Sequence, residues 1–250
     1  MAVTSSDLVT YASANMPQSD TTTSGGAIDS GVRVTFTDPS SAVQLIIFSS
    51  SASDTSQTLA LKGRNAAGSI ITESMSLNGT THVTSSNTFE RVLTAYLSTV
   101  GVGNVTVSGN GVNKIAEIPI GETGFLRPFY DATTSASSSK TLYEKIFVKN
   151  NNISSTLDGA TLIPVPVSGL ASKITYGIEN GKGSPQSVTN RTAVPTGVDS
   201  FGSGASGVYP NGTGNLTALD YQGVWLKLSL DASESSTNSF YAIQVSGTTT

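Results

Sequence analysis

Short stretches in which every second residue is apolar recur along the chain and predict β-strands. The alternation is clearest over residues 32–37, 58–62, 104–108 and 223–230. A period of two is typical of a strand with one buried face. Residues 45–48, within the stretch 44–48, are apolar at successive positions, which predicts a strand over 44–48 that is buried on both faces in the middle of a sheet.

Turn residues between these stretches predict how the strands connect. The segment 63–68 separates two strand patterns and ends in Gly68, which can take the left-handed position of a hairpin turn. Asn78-Gly79 predicts a second tight turn. Further strands are predicted over 70–77, 89–97, 141–149, 160–167, 174–178 and 240–245. The strand over 160–167 contains two prolines, which favours an edge or a bulged strand.

The spacing of the predicted strands indicates an all-β protein. No ten-residue window has a helical apolar face with caps, and strands about 8 to 15 residues apart with turns between them are typical of sandwiches and barrels. We expect two antiparallel β-sandwich domains, Ig-like or jelly-roll-like, with long loops. The expected division is an extended N-terminal arm over 1–26, an N-terminal sandwich over 27–118 and a C-terminal Ig-like sandwich over 119–250, because Pro119, Gly121 and Gly124 mark a break.

Composition narrows the function classes. Charged residues make up only 12% of the chain, the net charge is −4, and there is no cysteine. Disulfides, thiolate metal sites and cysteine nucleophiles are therefore excluded. The scattered Lys and Arg residues argue against a nucleic-acid partner. No apolar run approaches the ~18 residues of a membrane span, and residues 1–16 do not read as a signal peptide, so we expect no membrane partner and synthesis in the cytoplasm.

Candidate catalytic and cofactor motifs are weak. His82 is the single histidine, and without a Gly-x-Ser-x-Gly elbow it is expected to be an exposed or edge residue. Residues 202–207 match Gly-x-Gly-x-x-Gly, but the strand and helix required for dinucleotide binding do not flank them. The glutamates are dispersed: Glu73, Glu90, Glu117, Glu122, Glu144 and Glu179. We therefore predict no enzyme activity and no catalytic, cofactor-binding or metal-binding residues.

Three further sets of residues have simple interpretations. Asp29, Asp38 and Asp54 are expected to be turn residues. The Asn-x-Ser/Thr matches are attributed to composition: Asn78, Asn104, Asn152, Asn190, Asn211 and Asn215. Aromatic residues at Tyr209, Tyr221 and Trp225 could form a sugar-stacking platform, although Trp225 is expected in the core or in a subunit interface. The Gly-, Ser- and Asn-rich segment 180–215 is too long for an ordinary connection.

Three stretches resemble virion proteins of tailed phages. They are residues 68–81 with 88–92, residues 121–129 with 143–150, and residues 223–230 through 247. The first is similar to a strand–turn–strand unit of small phage β-sandwiches, and the third is similar to the closing strand pair of an Ig-like sandwich. The resemblance implies a structural protein located in the virion, with capsid decoration as the favoured role.

The resemblance also implies the partners. We expect contacts with the major capsid protein or other virion proteins, together with homo-oligomerisation, for which a trimer is the favoured state. Ser and Thr surfaces lose less side-chain entropy on burial than Lys or Glu surfaces, which suits such contacts. Two alternatives stay open at this point: a tail component such as a tube, baseplate or fibre base, and a carbohydrate-binding adhesin.

Overall fold

The computed structural model describes residues 2–34, 37–109, 113–133, 135–166, 173–202, 206–207, 214–234 and 241–250. No α-helix occurs within these ranges, and the strands pair almost entirely antiparallel, so the predicted all-β class is confirmed. In chain order the strands are β1 (Leu8–Asn15), β2 (Ser24–Arg33), β3 (Val43–Ser49), β4 (Thr58–Arg64), β5 (Ile70–Ser76), β6 (Val83–Phe89), β7 (Arg91–Leu97), β8 (Val105–Gly109), β9 (Asn113–Ile118), β10 (Gly124–Leu126), β11 (Lys140–Asn150), β12 (Leu157–Pro166), β13 (Ile174–Ile178), β14 (Ser187–Val188), β15 (Ser206–Gly207), β16 (Tyr221–Leu230) and β17 (Tyr241–Thr249).

The chain divides into two compact units. Unit 1 comprises Met1–Asp29 and Asp131–Thr250, and unit 2 comprises Ser30–Tyr130. The predicted boundary at 118/119 therefore differs from the structure. The segment after Ile118 stays in unit 2 because β10 pairs with β7 and with the end of β2.

Unit 2 is a β-sandwich. One sheet has the order β10-β7-β4-β5, and the other has the order β6-β3-β8-β9. Alternate residues of both sheets meet in one core, which includes Leu45, Leu59, Phe89, Val107 and Phe125. Burying such side chains contributes about 1.5–3 kcal/mol each. β3 lies between two partners, as its apolar sequence predicts.

Unit 1 is built around β11. Its main sheet has the order β13-β16-β11-β1-β2, and a smaller sheet has the order β15-β12-β17. β11 and β16 pair over ten positions, from Lys140↔Leu230 to Lys149↔Tyr221. Seven consecutive residues of β11, Leu142–Val148, are buried, so this strand is covered on both faces. β12 lies between β15 and β17 and is not an edge strand, and its register shift falls between Asp158 and Thr161, before the two prolines on which the predicted edge or bulge is based.

The N-terminal residues differ from the predicted arm over 1–26. β1 pairs with β11 from Leu8↔Asn150 to Ala12↔Ile146, and β2 begins at Ser24. Val9, Tyr11 and Ala12 are buried. The segment is a strand because it lies between β11 and β2, where its backbone N–H and C=O groups form ladder hydrogen bonds. Its small and apolar side chains suit the buried faces of the sheet.

Candidate functional site

The most unusual chemistry of unit 1 is a fully buried ion pair. Lys145 Nζ lies 2.7 Å from Glu179 Oε1, and the two side chains are 0% and 1% exposed. The indole Nε1 of Trp225 donates to the same Oε1 at 2.9 Å. The ammonium also donates to the carbonyl of Ser184 at 2.7 Å and lies 4.6 Å from the centre of the Phe147 ring. Among the described residues, Glu179 Oε2 has no hydrogen-bond partner.

Strand register brings these groups together. Lys145 of β11 and Trp225 of β16 are directly opposed, so their side chains share one face of the sheet. Glu179 follows β13, and its backbone N–H donates to the Gly223 carbonyl at 3.1 Å. A Cβ atom at Gly223 would lie 2.2 Å from Glu179 Oε2 and 2.9 Å from Lys145 Cε. The absence of a side chain at this position therefore makes room for the pair.

Burial shifts both groups of the pair towards neutrality. Desolvation lowers the pKa of Lys145, against the opposing effect of Glu179. Desolvation likewise raises the pKa of Glu179, against the hydrogen bonds from Lys145 and Trp225. Removing two charges from water is costly, and a single ion pair offsets only part of this cost.

A second buried cluster of unit 1 surrounds Arg191. Its guanidinium donates to Asp131 at 2.6 Å, to Glu144 at 3.0 Å and to Asp20 at 2.6 Å. Burial alone would lower the pKa of Arg191, but these carboxylates outweigh burial and raise it. The Arg191 carbonyl also accepts from the backbone N–H of Tyr143 at 2.8 Å. The long segment predicted as a loop is thus fastened to β11.

Unit 2 contains a buried carboxylate that fastens loops. Asp54 is completely buried and accepts from Ser49 Oγ at 2.5 Å, Gln57 Nε2 at 3.1 Å, Val102 N at 2.8 Å and Gly103 N at 2.9 Å. Burial alone would raise the pKa of Asp54, but the four hydrogen bonds outweigh it and lower the pKa. Asp54 therefore holds the loop 98–104 in a fixed conformation, as a charged turn residue can.

The other predicted aspartates have different surroundings. Asp38 bonds Arg127 at 2.7 Å and lies 3.5 Å from Arg91, so it joins two cations. Asp29 lies within β2, and its predicted turn position is wrong, because the strand begins at Ser24, earlier than the sequence pattern indicates.

The described aromatic and histidine candidates differ in exposure. Trp225 is 0% exposed, which confirms its core position and removes it from any sugar-stacking surface. Tyr221 is half-buried and packs edge-to-face with Phe147 at 5.7 Å. His82 is exposed, with its ring 4.4 Å from that of Phe48. Tyr209 lies outside the described residues.

The Gly-rich motif and the other glutamates have local structural contacts. Gly202 forms a bridge with Tyr176, and Ser206–Gly207 is the short strand β15, while residues 203–205 of the motif lie outside the described residues. Glu73 accepts from Ser86 and Asn87. The other glutamates have separate environments: Glu117 pairs with Lys114, Glu122 with Arg33, and Glu90 is exposed.

Sequence reasoning missed Lys145, Arg191 and the pairing of Glu179. One signal was present: Glu144 and Lys145 stand side by side within the apolar stretch 142–148. Charges inside a strand that is buried on both faces require buried partners. The partners themselves come from distant segments, with Glu179 following Lys145 by 34 residues and Arg191 following Glu144 by 47, and the sequence pattern does not indicate these pairings.

The described ranges contain neither a metal-binding cluster nor a membrane-spanning helix. No group of three or more His, Asp and Glu side chains there is placed to hold a metal ion. Those ranges also contain no helix with the length and apolar character needed to cross a membrane.

Comparisons with known proteins leave the family open. No family model matches the chain, and no curated protein matches it. Among solved structures, the VP2 subviral particle of infectious bursal disease virus aligns with 12% identity and a TM-score of 0.14, covering 100% of this chain and 72% of that chain. A likeness at this TM-score carries no argument about fold or function.

Proposed function

We propose that this chain is a structural protein of a virion that acts through protein–protein contacts and has no catalytic role. One observation carries the proposal. The buried charged side chains of the described residues are all engaged within the fold: Asp54, Glu122, Glu144, Lys145, Glu179 and Arg191. These groups fasten loops and strands to each other, which is the chemistry of a rigid building block.

A free sheet edge supports contacts with partners. β17 pairs only with β12 in the part of the chain that the structure describes. Its nine residues contain no charged side chain and no proline. Edge strands of monomeric proteins are usually protected by charges, prolines or bulges, since an unprotected edge adds strands from other chains. Such an edge suits β-strand addition by a neighbouring subunit.

Exposed apolar side chains at one end of unit 2 support the same role. Val102 and Ile120 are 60% and 62% exposed. They belong to neighbouring segments, because the Ile120 N–H donates to Asn104 Oδ1 at 3.1 Å. The Val102 N–H is fixed by Asp54 at 2.8 Å. Two rigidly presented apolar residues lose little entropy on docking, which favours a contact site.

The finer proposal is decoration of a tailed-phage capsid by a homo-oligomer, with a trimer favoured, after synthesis in the host cytoplasm. It derives from the resemblance of residues 68–81, 121–129 and 223–230 to phage virion proteins. The main alternative is a tail component. Imaging of particles assembled in cells that make the chain tests both. Density on the capsid lattice is expected, whereas density confined to the tail, or purified protein that polymerises into tubes, would replace decoration with the tail role.

A pair of surface variants tests the contact site. Val102→Asp with Ile120→Asp is expected to abolish binding to particles and leave the unfolding midpoint unchanged, because both side chains face solvent. Val194→Asp is the matched control, since Val194 is 65% exposed in unit 1. Undiminished binding of the double variant would remove this contact site, and absence of the wild-type chain from all particles would overturn the virion role.

A further inference from the structure

The buried pair of Lys145 and Glu179 has the arrangement of two reactants. We propose that Lys145 Nζ and the side-chain carboxyl of Glu179 condense into an intramolecular amide that crosslinks β11 to the segment following β13. The nitrogen lies 2.7 Å from Glu179 Oε1, and neither side chain is more than 1% exposed. Holding two groups next to each other replaces a collision between separate molecules, and well-oriented groups reach effective concentrations of about 10⁵ M or more.

The surroundings favour the neutral forms that react. An ammonium group is not a nucleophile and a carboxylate resists attack, so condensation requires one proton to move from Lys145 to Glu179. Burial lowers the pKa of Lys145 and raises the pKa of Glu179, and both shifts favour this transfer. The rings of Phe147 and Trp225 lie 4.6 and 5.9 Å from the nitrogen and exclude water.

The step balances without any further reactant. The lone pair of Lys145 Nζ attacks Glu179 Cδ, the N–C bond forms, and the Cδ–Oε2 bond breaks. Oε2 leaves as water, carrying the proton already transferred from Lys145 and a second proton from the same nitrogen, which keeps one N–H in the amide. Negative charge develops on Oε1, where the Trp225 N–H already donates at 2.9 Å. The amide N–H that remains can keep the hydrogen bond to the Ser184 carbonyl, which is 2.7 Å from Nζ.

Two other lysine–carboxylate pairs of unit 1 serve as internal controls. Lys140 lies 2.6 Å from Asp20, and Lys182 lies 2.7 Å from Asp220. All four side chains retain between 21% and 32% of their exposure. Water therefore solvates the charged forms, and these pairs are expected to remain unlinked. All three pairs are in contact, but among these three pairs complete burial and an indole donor are found at Lys145 and Glu179.

Peptide mapping of the purified, denatured full chain by trypsin and mass spectrometry tests the proposal. Trypsin does not cleave after an acylated lysine, so the crosslinked protein yields a branched peptide that joins 141–149 to 174–182. Its mass is the sum of the two peptides less one water molecule. Separate linear peptides 141–145 and 174–182, with no branched product, would overturn the proposal. A water loss that maps elsewhere, for example to a succinimide at Asp158-Gly159, would overturn it equally.

A variant separates the covalent bond from the ion pair. Lys145→Arg retains a cation but supplies no nucleophilic amine, so the branched peptide is expected to disappear. Lys140→Arg is the matched control and is expected to leave it unchanged. A branched product that persists in Lys145→Arg would show that a different residue is linked. The peptide map of the wild-type chain tests the proposal even if Lys145→Arg fails to fold. Absence of the branched peptide would overturn the crosslink but would not affect the proposed contacts with partner proteins.

Discussion

Replacement of Asp54 by asparagine removes acceptors from the loop-fastening carboxylate without changing its shape. In the wild type, Oδ1 accepts from Gln57 and Val102, and Oδ2 accepts from Ser49 and Gly103. The amide of asparagine has one oxygen, and its NH₂ group cannot accept. Whichever way the amide is turned, its NH₂ group faces one backbone N–H, that of Val102 or that of Gly103, and this hydrogen bond is lost. The side-chain partner on the same side, the Gln57 amide or the Ser49 hydroxyl, can turn to accept from the NH₂ group.

The magnitude follows from the number of bonds. A hydrogen bond to a charged group contributes about 1.5–3 kcal/mol, so the loss of one, together with the loss of the charge that strengthens the others, predicts a decrease of about 2–4 kcal/mol in the free energy of unfolding. The cost is high because the site is buried and water does not replace the lost acceptor.

Urea unfolding of the full chain at neutral pH measures this loss. Hydrogen exchange is expected to accelerate at the one of the Val102 and Gly103 amides that faces the NH₂ group, because that amide loses its acceptor. The exposed Glu90 supplies the matched control, and Glu90→Gln is expected to change stability by less than about 0.5 kcal/mol. A decrease below about 1 kcal/mol for Asp54→Asn would refute the inference that this carboxylate holds the loop.

The pH dependence adds a second test of Asp54. Its folded-state pKa is lowered, so its contribution is fully present above the unfolded value of about 3.9 and is lost as the pH falls through the folded value. The stability difference between wild type and Asp54→Asn is therefore expected to narrow only in that acidic window. If the stability difference between wild type and Asp54→Asn narrowed already near neutral pH, the inference that the pKa of Asp54 is lowered in the folded state would be wrong.

Three further perturbations address unit 1. Gly223→Ala places a Cβ 2.2 Å from Glu179 Oε2, and we expect about 1–3 kcal/mol of destabilisation in urea unfolding; an unchanged midpoint would show that the pair can move away. Arg191→Met removes the cation shared by three carboxylates, of which Asp20 retains Lys140, and we expect a loss of about 3–5 kcal/mol at neutral pH that shrinks in acid as the carboxylates are protonated; a loss that grows in acid would contradict this. Trp225 is the single tryptophan, so intrinsic emission is expected to resist iodide quenching and to be unchanged by sugars; strong quenching would place the indole at the surface.

Local patterns predicted much of unit 2. The β4–β5 hairpin follows from alternation over 58–62 and from Gly68, whose φ of 77° is the left-handed conformation that the turn requires. Asn78-Gly79 behaves in the same way, with Gly79 at φ 57°. These features depend on neighbours in sequence, so a short window contains the necessary information.

Features that depend on distant partners could not be predicted. β1 pairs with residues 146–150, and its sequence, LVTYASAN, shows no clear alternation of apolar and polar residues. The bonds of Arg191 to Asp20, Asp131 and Glu144 unite residues from four separate segments. Such pairings depend on the complete topology, because the sequence specifies each charge but not which opposite charge will face it.

The position of β1 has a consequence for the order of events on the ribosome. Ser30–Tyr130 is one continuous stretch that can fold as soon as it has left the exit tunnel. β1, in contrast, has to wait until β11 emerges, since Leu8 pairs with Asn150. During that interval the apolar side chains of β1 are unprotected in the nascent chain. A bulky fusion placed before residue 8 would then obstruct the insertion of this strand between β11 and β2, whereas the same fusion after residue 250 would not.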